Sequence, residues 1–488
     1  MSDPRFQENY DKLRRQVHVG KIFHLALPLR AEPQSFSGAN QVSPVRQQRI
    51  SPLLNAVFPI LLAFLFAVFT GTLELVGFLR ATHLLLIFGA MGLIAVFVTG
   101  RFMQVVLSPI GKLLTLFTVW FILCIPMAIW RGGSFGVFVD TWSRSFLAYI
   151  LTAGLISTVA QSRKVFHTIA YSVGFLASLA LVVHYYDGSG RLCLPGGRYG
   201  NANDFGFSLL VGLSFLAFMF LQGRGVRKAA AVVLAGPVLI ALAKTGSRTC
   251  LLGAGILVLY AFFRASNAVR AKLAIAAPIL FVLLLLVVPS GLRDRYVTLF
   301  SSRNDHTNQT LDNTEEAAGS AGARLGLLKD SIWLTIVHPF SGVGPGNFPV
   351  AQNDLAIARG ERKGQWHVTH NTYTEVSSEM GIPGLLIYLV FLFRCWKVLT
   401  AVIRRKTISA ELRVMAETLR ATFVVVATAA AFDSLTYNTN IPILAGLVTA
   451  LGFIAETQRS RTNVTSSGES ALSTLPEPTF EPAWSGRP

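Results

Sequence analysis

The chain has 488 residues, of which 52% are hydrophobic and only 14% are charged. A soluble chain carries about a quarter charged residues, so this composition excludes an ordinary soluble protein and indicates a membrane protein. The formal net charge of +18 would suit nucleic-acid binding, but no basic module interleaved with aromatic residues occurs, so no nucleic-acid partner is expected.

Residues 1–50 are polar and basic and lack the apolar core of a cleaved signal peptide, so we expect a cytoplasmic N-terminal extension. About twelve apolar runs follow, each near the length that crosses a bilayer as a helix. They cover 52–72, 81–99, 113–130, 145–160, 165–185, 204–221, 229–243, 250–264, 272–290, 381–400, 421–437 and 442–456.

The first nine runs occupy residues 51–290 and the last three occupy residues 381–456. Between them, residues 291–380 form a long polar stretch, which we predict to be a large, partly helical periplasmic loop. Residues 457–488 are rich in Ser, Thr, Pro and Glu, a composition typical of a disordered tail, here cytoplasmic. The sequence therefore predicts an all-α polytopic membrane protein with about twelve transmembrane helices.

The basic residues of the short connections lie mostly on one side, which the positive-inside bias makes cytoplasmic. The opposite side, periplasmic or exterior, receives the long loop and a smaller basic set. Its members are Arg80, Arg131, Arg144, Arg191, Arg198, Lys244 and Arg248. Because arginine forms paired hydrogen bonds with phosphate, several arginines meeting at one membrane face would bind a lipid-linked phosphate or diphosphate. The alternative for each is a cation that reaches the interface or pairs with a nearby acid.

Two of these arginines stand in distinctive segments. Arg198 lies in Gly196–Asp204, immediately before a span. Asn201 and Asp204 favour the start of a helix there, and the free N–H groups of a helix start form an anion site. Arg248 lies in a tight turn between two spans, where a charge so near hydrocarbon needs a partner or a task.

Within the long loop, residues 321–337 are predicted to form an amphipathic helix that ends before His338-Pro339. Arg324 lies in its first turn, where the helix dipole does not favour a cation and an external anion would. The apolar stripe consists of Leu325, Leu328, Ile332 and Ile336. The glycines of residues 342–346 predict an irregular turn, since no nucleotide-binding loop matches them.

His367 and His370 follow, close to the carboxylate of Glu375. Histidine titrates near neutral pH, so either imidazole could take a proton from a hydroxyl nucleophile, and Glu375 could orient it or share the role. A metal site would need a third ligand at suitable spacing, which is not evident. A surface histidine without a role is the other alternative. Neighbouring side chains with potential supporting roles are Asn371 and Tyr373.

Taken in order, these segments resemble the O-antigen ligase and polymerase superfamily of bacterial envelope enzymes. The resemblance covers roughly residues 190–400 and rests on Gly197–Asp204, Thr245–Arg248, Arg324 to Trp333, His338–Phe348, His370–Glu375 and Gly381–Gly384. It implies transfer of a saccharide from an undecaprenyl-diphosphate carrier to an acceptor hydroxyl at the periplasmic face of the inner membrane, for surface polysaccharide or exopolysaccharide. It also implies no ATP, metal or other cofactor.

The same resemblance implies roles for particular residues. Arg198, Arg248 and Arg324 would hold the diphosphate, and His370 would be the general base. Direct displacement would invert the anomeric centre. Asp433, near the outer end of a late span, could help to bind the acceptor.

Several alternatives stay open in the sequence. Thr374 departs from the leucine that the family often has there, and the additional His367 leaves the choice of base between two imidazoles. The acceptor, a glycan, lipid or protein hydroxyl, decides between ligase and polymerase. A transporter of glycans or lipid-linked intermediates is the competing class, although its usual pair of related halves is not visible here.

Overall fold

The computed structural model describes residues 52–76, 78, 81–297, 311–361, 364 and 366–473. Within these ranges the chain is helical and contains no strands. The helices are α1 (Pro52–Thr70), α2 (Thr72–Leu75), α3 (Leu84–Val98), α4 (Arg101–Val106), α5 (Pro109–Cys124), α6 (Arg131–Val137), α7 (Ser143–Leu155), α8 (Val159–Val183), α9 (Ala202–Gln222), α10 (Val226–Lys244), α11 (Arg248–Arg264), α12 (Asn267–Val287), α13 (Ser290–Val297), α14 (Leu311–Val337), α15 (Phe348–Ala358), α16 (Thr372–Arg404), α17 (Ala410–Ala430) and α18 (Asn440–Ser473).

Eight helices in the described part of the chain are long and apolar enough to cross a membrane. They are α1, α5 with the turn that follows it, α8, α9, α10, α12, α16 and the first 21 residues of α18. The chain is therefore an all-α polytopic membrane protein, as predicted. The other four predicted spans correspond to α3, α7 and α11, with 15, 13 and 17 residues, and to α17, which carries four charged residues. The total of twelve stays a prediction.

The interior of the bundle is formed by α9 and α18, the most buried spans. In lipid, helices associate through close packing of small residues rather than through expulsion of water. At the contact of α18 with α7, Gly446 leaves no room for a side chain, since a Cβ there would lie 2.8 Å from the Cβ of Thr152. At the contact of α9 with α8, a Cβ on Gly212 would lie 2.3 Å from Val173.

Helix α14 of the long loop ends at Val337, as predicted, but begins at Leu311, ten residues before the predicted start. Arg324 therefore lies in the middle of the helix and not in its first turn, so the predicted conflict with the helix dipole does not arise. The predicted apolar stripe is not its buried face: Leu325, Ile332 and Ile336 are 53%, 46% and 65% exposed. The buried side carries Leu327 and Leu334 instead. An outward apolar face of this kind is typical of a helix at a lipid–water interface.

Helix α16 bends at Gly381, the residue at which the tenth predicted span begins. Gly381 has a left-handed φ of 70°, and a Cβ there would lie 2.0 Å from the carbonyl oxygen of Phe340. Pro383 has no N–H, and the N–H of Ile382 donates to Pro339 instead, 2.8 Å away. The carbonyl groups of the preceding turn are thus freed for other donors.

Those freed carbonyls hold the irregular turn of residues 342–346. The N–H of Val343 donates to Ser378 at 2.8 Å, and the N–H of Gly344 donates to the carbonyl of Glu379 at 3.0 Å. The turn and the outer part of α16 therefore form one unit, which positions the residues immediately before α16.

The C-terminal region contains a polar break between α17 and α18 and a long final helix. Helix α17 ends at Ala430, and residues 431–439 form a polar connection where the eleventh span was predicted to continue to 437. Asp433 and Asn438 accept from the N–H groups of Ser434 and Asn440, and local bonds of this kind compete with helix formation. The segment predicted to be disordered is helical as far as Ser473. The predicted N-terminal extension, part of the long loop and residues 474–488 lie outside the described residues.

Candidate active site

His370 occupies a backbone conformation that few residues other than glycine adopt, with a φ of 52°. Neighbouring hydroxyl groups hold it there. The N–H of His370 donates to the Ser434 hydroxyl at 3.1 Å, and Thr369 donates its hydroxyl to the Asn371 carbonyl at 2.9 Å. The residue is thus fixed by the connection between α17 and α18, and strain held in this way is typical of functional positions.

The imidazole of His370 is half-buried, and its Nδ1 atom has no hydrogen-bond partner among the described residues. Burial lowers the pKa of His370 to about 4, and the positive charges of Arg324, His367 and Arg191 act in the same direction. The ring is therefore neutral at pH 7. A buried nitrogen without a partner is uncommon, and here it leaves a lone pair or a proton available to a substrate.

Arg191 is one of the two arginines whose charge reaches His370. Its Nε donates to the Thr245 carbonyl at 2.7 Å, and its guanidinium donates to the Asn203 side chain at 2.5 Å. Asp187 fixes the backbone of this loop by accepting from the N–H of Arg191 at 3.0 Å. Arg191 therefore joins the two segments that contain Arg198 and Arg248. The sequence placed it among seven outer basic residues but gave no reason to prefer it.

Arg324 is the second of these arginines, and it comes from the long loop. Its charge also acts on Asp433, a buried residue of the connection after α17. Burial raises the pKa of Asp433, whereas the N–H of Ser434, Arg324 and Arg191 oppose that rise. His370, Asp433, Arg324 and Arg191 therefore share one electrostatic environment.

Arg248 is the first residue of α11, directly after the turn that accepts from Arg191. Gly246 of this turn has a left-handed φ of 59°, and the Ser247 hydroxyl caps α11 by accepting from the N–H of Cys250 at 3.4 Å. Arg248 therefore lies at the end of the bundle that carries His370.

Arg198 has its protein partners in α1 and α2. Its Nε lies 3.4 Å from Oε1 of Glu74, its N–H donates to the other oxygen of Glu74 at 3.0 Å, and its guanidinium donates to the Val68 carbonyl at 3.2 Å. These bonds fasten the Gly197–Tyr199 turn to α1, which contains Val68, and to α2, which contains Glu74. The structure therefore ties Arg198 to Glu74, whereas the charges of Arg324 and Arg191 act on His370.

Glu375 is buried, and one of its oxygens accepts from the hydroxyl and the N–H of Thr436 at 2.5 and 3.2 Å. It does not bond to Nδ1 of His370, so it does not orient the ring through that atom. Glu379, one helical turn further on, accepts from the N–H groups of Gly346 and Phe348 at 2.7 and 3.2 Å and from the Tyr437 hydroxyl. Sequence reasoning missed Glu379, although its four-residue spacing from Glu375 places both on one helix face.

Three of the remaining predicted residues, Asn371, Tyr373 and Asn201, bond to the backbone. Asn371 caps α16 by accepting from the N–H groups of Tyr373 and Thr374 at 3.0 and 3.1 Å. The Tyr373 hydroxyl donates to the Ala427 carbonyl at 2.8 Å. Asn201 caps α9, and Asp204 lies in the first turn of that helix. His367 is exposed, and its ring centre lies 6.4 Å from that of His370.

No group of three His, Cys, Asp or Glu side chains able to hold a metal ion occurs among the described residues. The four cysteines are buried and free. The described residues of the site offer an imidazole on which arginine charges act.

Residues 230–389 match the model of a protein family described as O-antigen ligase. This match confirms the predicted resemblance over that segment, and it indicates a membrane protein of the glycan ligase or polymerase type. The segment contains Arg248, Arg324 and His370, whereas Arg191 and Asp433 lie outside it. No curated protein matches the chain.

Proposed function

Given that residues 230–389 match the O-antigen ligase family, we propose that this chain transfers a saccharide from an undecaprenyl-diphosphate carrier to an acceptor hydroxyl at the periplasmic face of the inner membrane. The observation that carries the proposal is the environment of the His370 imidazole. Its buried Nδ1 has no partner in the described part of the chain, and its ring lies within the field of Arg324 and Arg191.

In the proposed reaction, His370 accepts the proton of the acceptor hydroxyl. The acceptor oxygen bonds to the anomeric carbon of the saccharide while the bond from that carbon to the diphosphate oxygen breaks. Undecaprenyl diphosphate leaves with the bonding electrons. A single displacement of this kind inverts the anomeric centre and needs no metal or other cofactor in its proton transfer.

Arginine supplies the counter-charge for the diphosphate. We assign this role to Arg248, Arg324 and Arg191, because preorganised guanidinium groups stabilise charge that develops on a phosphate leaving group. Arg191 takes the place predicted for Arg198, since the charge of Arg191 acts on His370 and Arg198 is held by Glu74. Glu375 then supports the backbone of the site through Thr436 rather than taking part in proton transfer.

The arginines also couple donor binding to the strength of the base. Arg324 and Arg191 lower the pKa of His370 in the free protein. A diphosphate bound to them offsets their charge, so the pKa of His370 rises when the donor is present. The imidazole therefore becomes a stronger base when there is a saccharide to transfer.

The test is a transfer assay with the full chain purified in detergent. Undecaprenyl-diphosphate-linked saccharide and acceptor are added, and mass spectrometry follows the release of undecaprenyl diphosphate and the extended acceptor. His370→Gln is expected to lower the rate by roughly 10²- to 10⁴-fold, the contribution of a general base.

His367→Gln is the matched control, because it removes the neighbouring imidazole and is expected to keep most of the rate. A large loss in His367→Gln alone would transfer the role to that residue. Donor left unchanged by the wild-type protein with every acceptor supplied would contradict the proposal and favour a transporter. Comparing a second lipid-linked repeat with other hydroxyl acceptors distinguishes polymerase from ligase.

A further inference from the structure

A polar cavity lies at the opposite end of the helix bundle from His370. Its volume is about 300 Å³, and its lining consists of Arg163, His167, Gln222, Arg224, Arg227 and Glu411. Nothing in the proposed transfer reaction uses these residues.

The connections of the helices show that the two places are distinct. Arg163 and His167 belong to the first turns of α8, Gln222 ends α9, Arg227 begins α10, and Glu411 begins α17. The other ends of these same helices lead to Arg191, Asn203, Thr245 and Asp433. A helix of 20 residues is about 30 Å long, so a span separates the cavity from His370. We name the residues around this cavity the distal basic site.

The distal basic site holds more positive than negative charge. Its single carboxylate, Glu411, lies 3.3 Å from the guanidinium of Arg163. The side chains of Arg224 and Arg227 form no hydrogen bond or ion pair within the described ranges of the chain. Both are exposed towards the cavity they line.

A bias of basic residues towards one membrane face does not by itself explain this arrangement. Lys228, the next residue, shows what a simple interfacial cation does: its ammonium lies 4.8 Å from the centre of the Phe220 ring. Arg264 and Arg405 at the same end meet the carboxylates of Glu417 and Glu456. Arg224 and Arg227 instead converge with Arg163, His167 and Gln222 on one volume.

The chemistry of the lining selects an oxyanion. Guanidinium groups present forks of N–H donors that match phosphate, and Gln222 and His167 add neutral donors. A volume of about 300 Å³ lies at the lower bound of ligand pockets and would hold roughly ten water molecules. We propose that the distal basic site binds a phosphate group, carried by an anionic lipid headgroup of the adjacent leaflet or by a soluble phosphate compound.

The test uses the full chain in detergent and native mass spectrometry. Phosphatidylglycerol is titrated against phosphatidylcholine with the same acyl chains, with and without added inorganic phosphate. The wild-type protein is expected to retain phosphatidylglycerol preferentially. Arg224→Ala combined with Arg227→Ala is expected to weaken that binding by roughly tenfold or more, since hydrogen bonds to charged groups contribute at least this much.

Arg404→Ala combined with Lys406→Ala is the matched control, because it removes two exposed cations from the same end of the bundle outside the cavity. It is expected to bind phosphatidylglycerol as the wild type does, and apparent melting temperatures check that both variants are folded. Displacement of the lipid by inorganic phosphate would identify a soluble ligand, and its failure to compete would identify the headgroup. Equal binding by the two double variants, or no preference of the wild type for either phosphate probe, would overturn the proposal.

Discussion

The two ends of the helix bundle use arginine differently. At the distal end, Arg264 and Arg420 meet the carboxylate of Glu417, and Arg405 meets Glu456. At the His370 end, the buried carboxylates of α16 accept from hydroxyl and backbone N–H donors. There Arg198 and Arg359 also pair with carboxylates. The charges of Arg324 and Arg191, however, act on an imidazole, which has no counterpart among the described ion pairs of the distal end.

This difference shows that the partner of an arginine, rather than its side of the membrane, distinguishes a structural role from a chemical one. A guanidinium beside a carboxylate stabilises the fold, although modestly when the pair is exposed. A guanidinium beside a half-buried imidazole changes proton affinity and attracts anions. The distal basic site combines both features, since Arg163 meets Glu411 whereas Arg224 and Arg227 line a cavity.

The comparison predicts the largest difference for an arginine variant at each end. Arg324→Gln should lower the rate of saccharide transfer by roughly 10²- to 10³-fold, because it removes preorganised charge at the leaving group. Arg405→Gln, which removes an arginine held by Glu456, should leave the rate near that of the wild type. The measurement is kcat/KM of the purified variants. Equal losses in the two variants would mean that the ends do not differ in the way proposed.

A smaller effect distinguishes Arg191 from Arg198, the arginine to which the sequence assigned the diphosphate. Arg191→Gln should lower kcat/KM by about 10- to 100-fold, because a charge-assisted contact with the diphosphate contributes about 1.5–3 kcal/mol. Arg198→Gln should act mainly on stability by breaking its ion pair with Glu74. Transfer assays and apparent melting temperatures are measured on both. A larger loss of transfer in Arg198→Gln would restore the role that the sequence suggested.

The assignment of Arg191 in place of Arg198 shows which features could be predicted from the sequence and which could not. Hydropathy located the eight described spans and the helical nature of four more segments, since burial in lipid fixes helix length. Motif order pointed to Arg198 because it stands in a glycine-rich segment. Its partner Glu74 is 124 positions away in sequence, and Arg191 binds Asn203 and Thr245 through contacts that no local pattern encodes. Likewise, the sequence revealed the apolar stripe of α14 but not whether that stripe is buried or exposed.

Removing a buried carboxylate should lower the free energy of unfolding by about 2 kcal/mol more than removing an exposed one. Glu379→Ala removes the acceptor for Gly346, Phe348 and Tyr437, and leaving buried donors unsatisfied should cost about 3 kcal/mol. Glu456→Ala at the distal end breaks only a partly exposed pair with Arg405, a loss of about 1 kcal/mol or less. Apparent melting temperatures in one detergent measure both. An unchanged melting temperature with abolished transfer in Glu379→Ala would place Glu379 in the chemistry.

The smallest expected effect is on the pH profile. The pKa of His370 is about 4 in the free protein, and a protonated imidazole cannot accept a proton. The kcat/KM for transfer should therefore be level near neutral pH and fall as pH decreases through about 4. Because kcat reports the bound enzyme, in which diphosphate offsets the arginines, kcat should begin to fall at a higher pH.

Two variants that each remove one positive charge test this pH profile: Arg324→Gln near the base and Arg405→Gln as the distant control. Arg324→Gln takes away a positive charge that lowers the pKa of His370, so the fall in kcat/KM should move to higher pH, by less than about one unit. Arg405→Gln, a span away, should not move it. A fall of kcat/KM already near pH 6.5, the ordinary range of histidine, in both the wild type and Arg324→Gln would show that the arginines do not act on the base. The His370 end would then differ from the distal end in its contacts but not in its field.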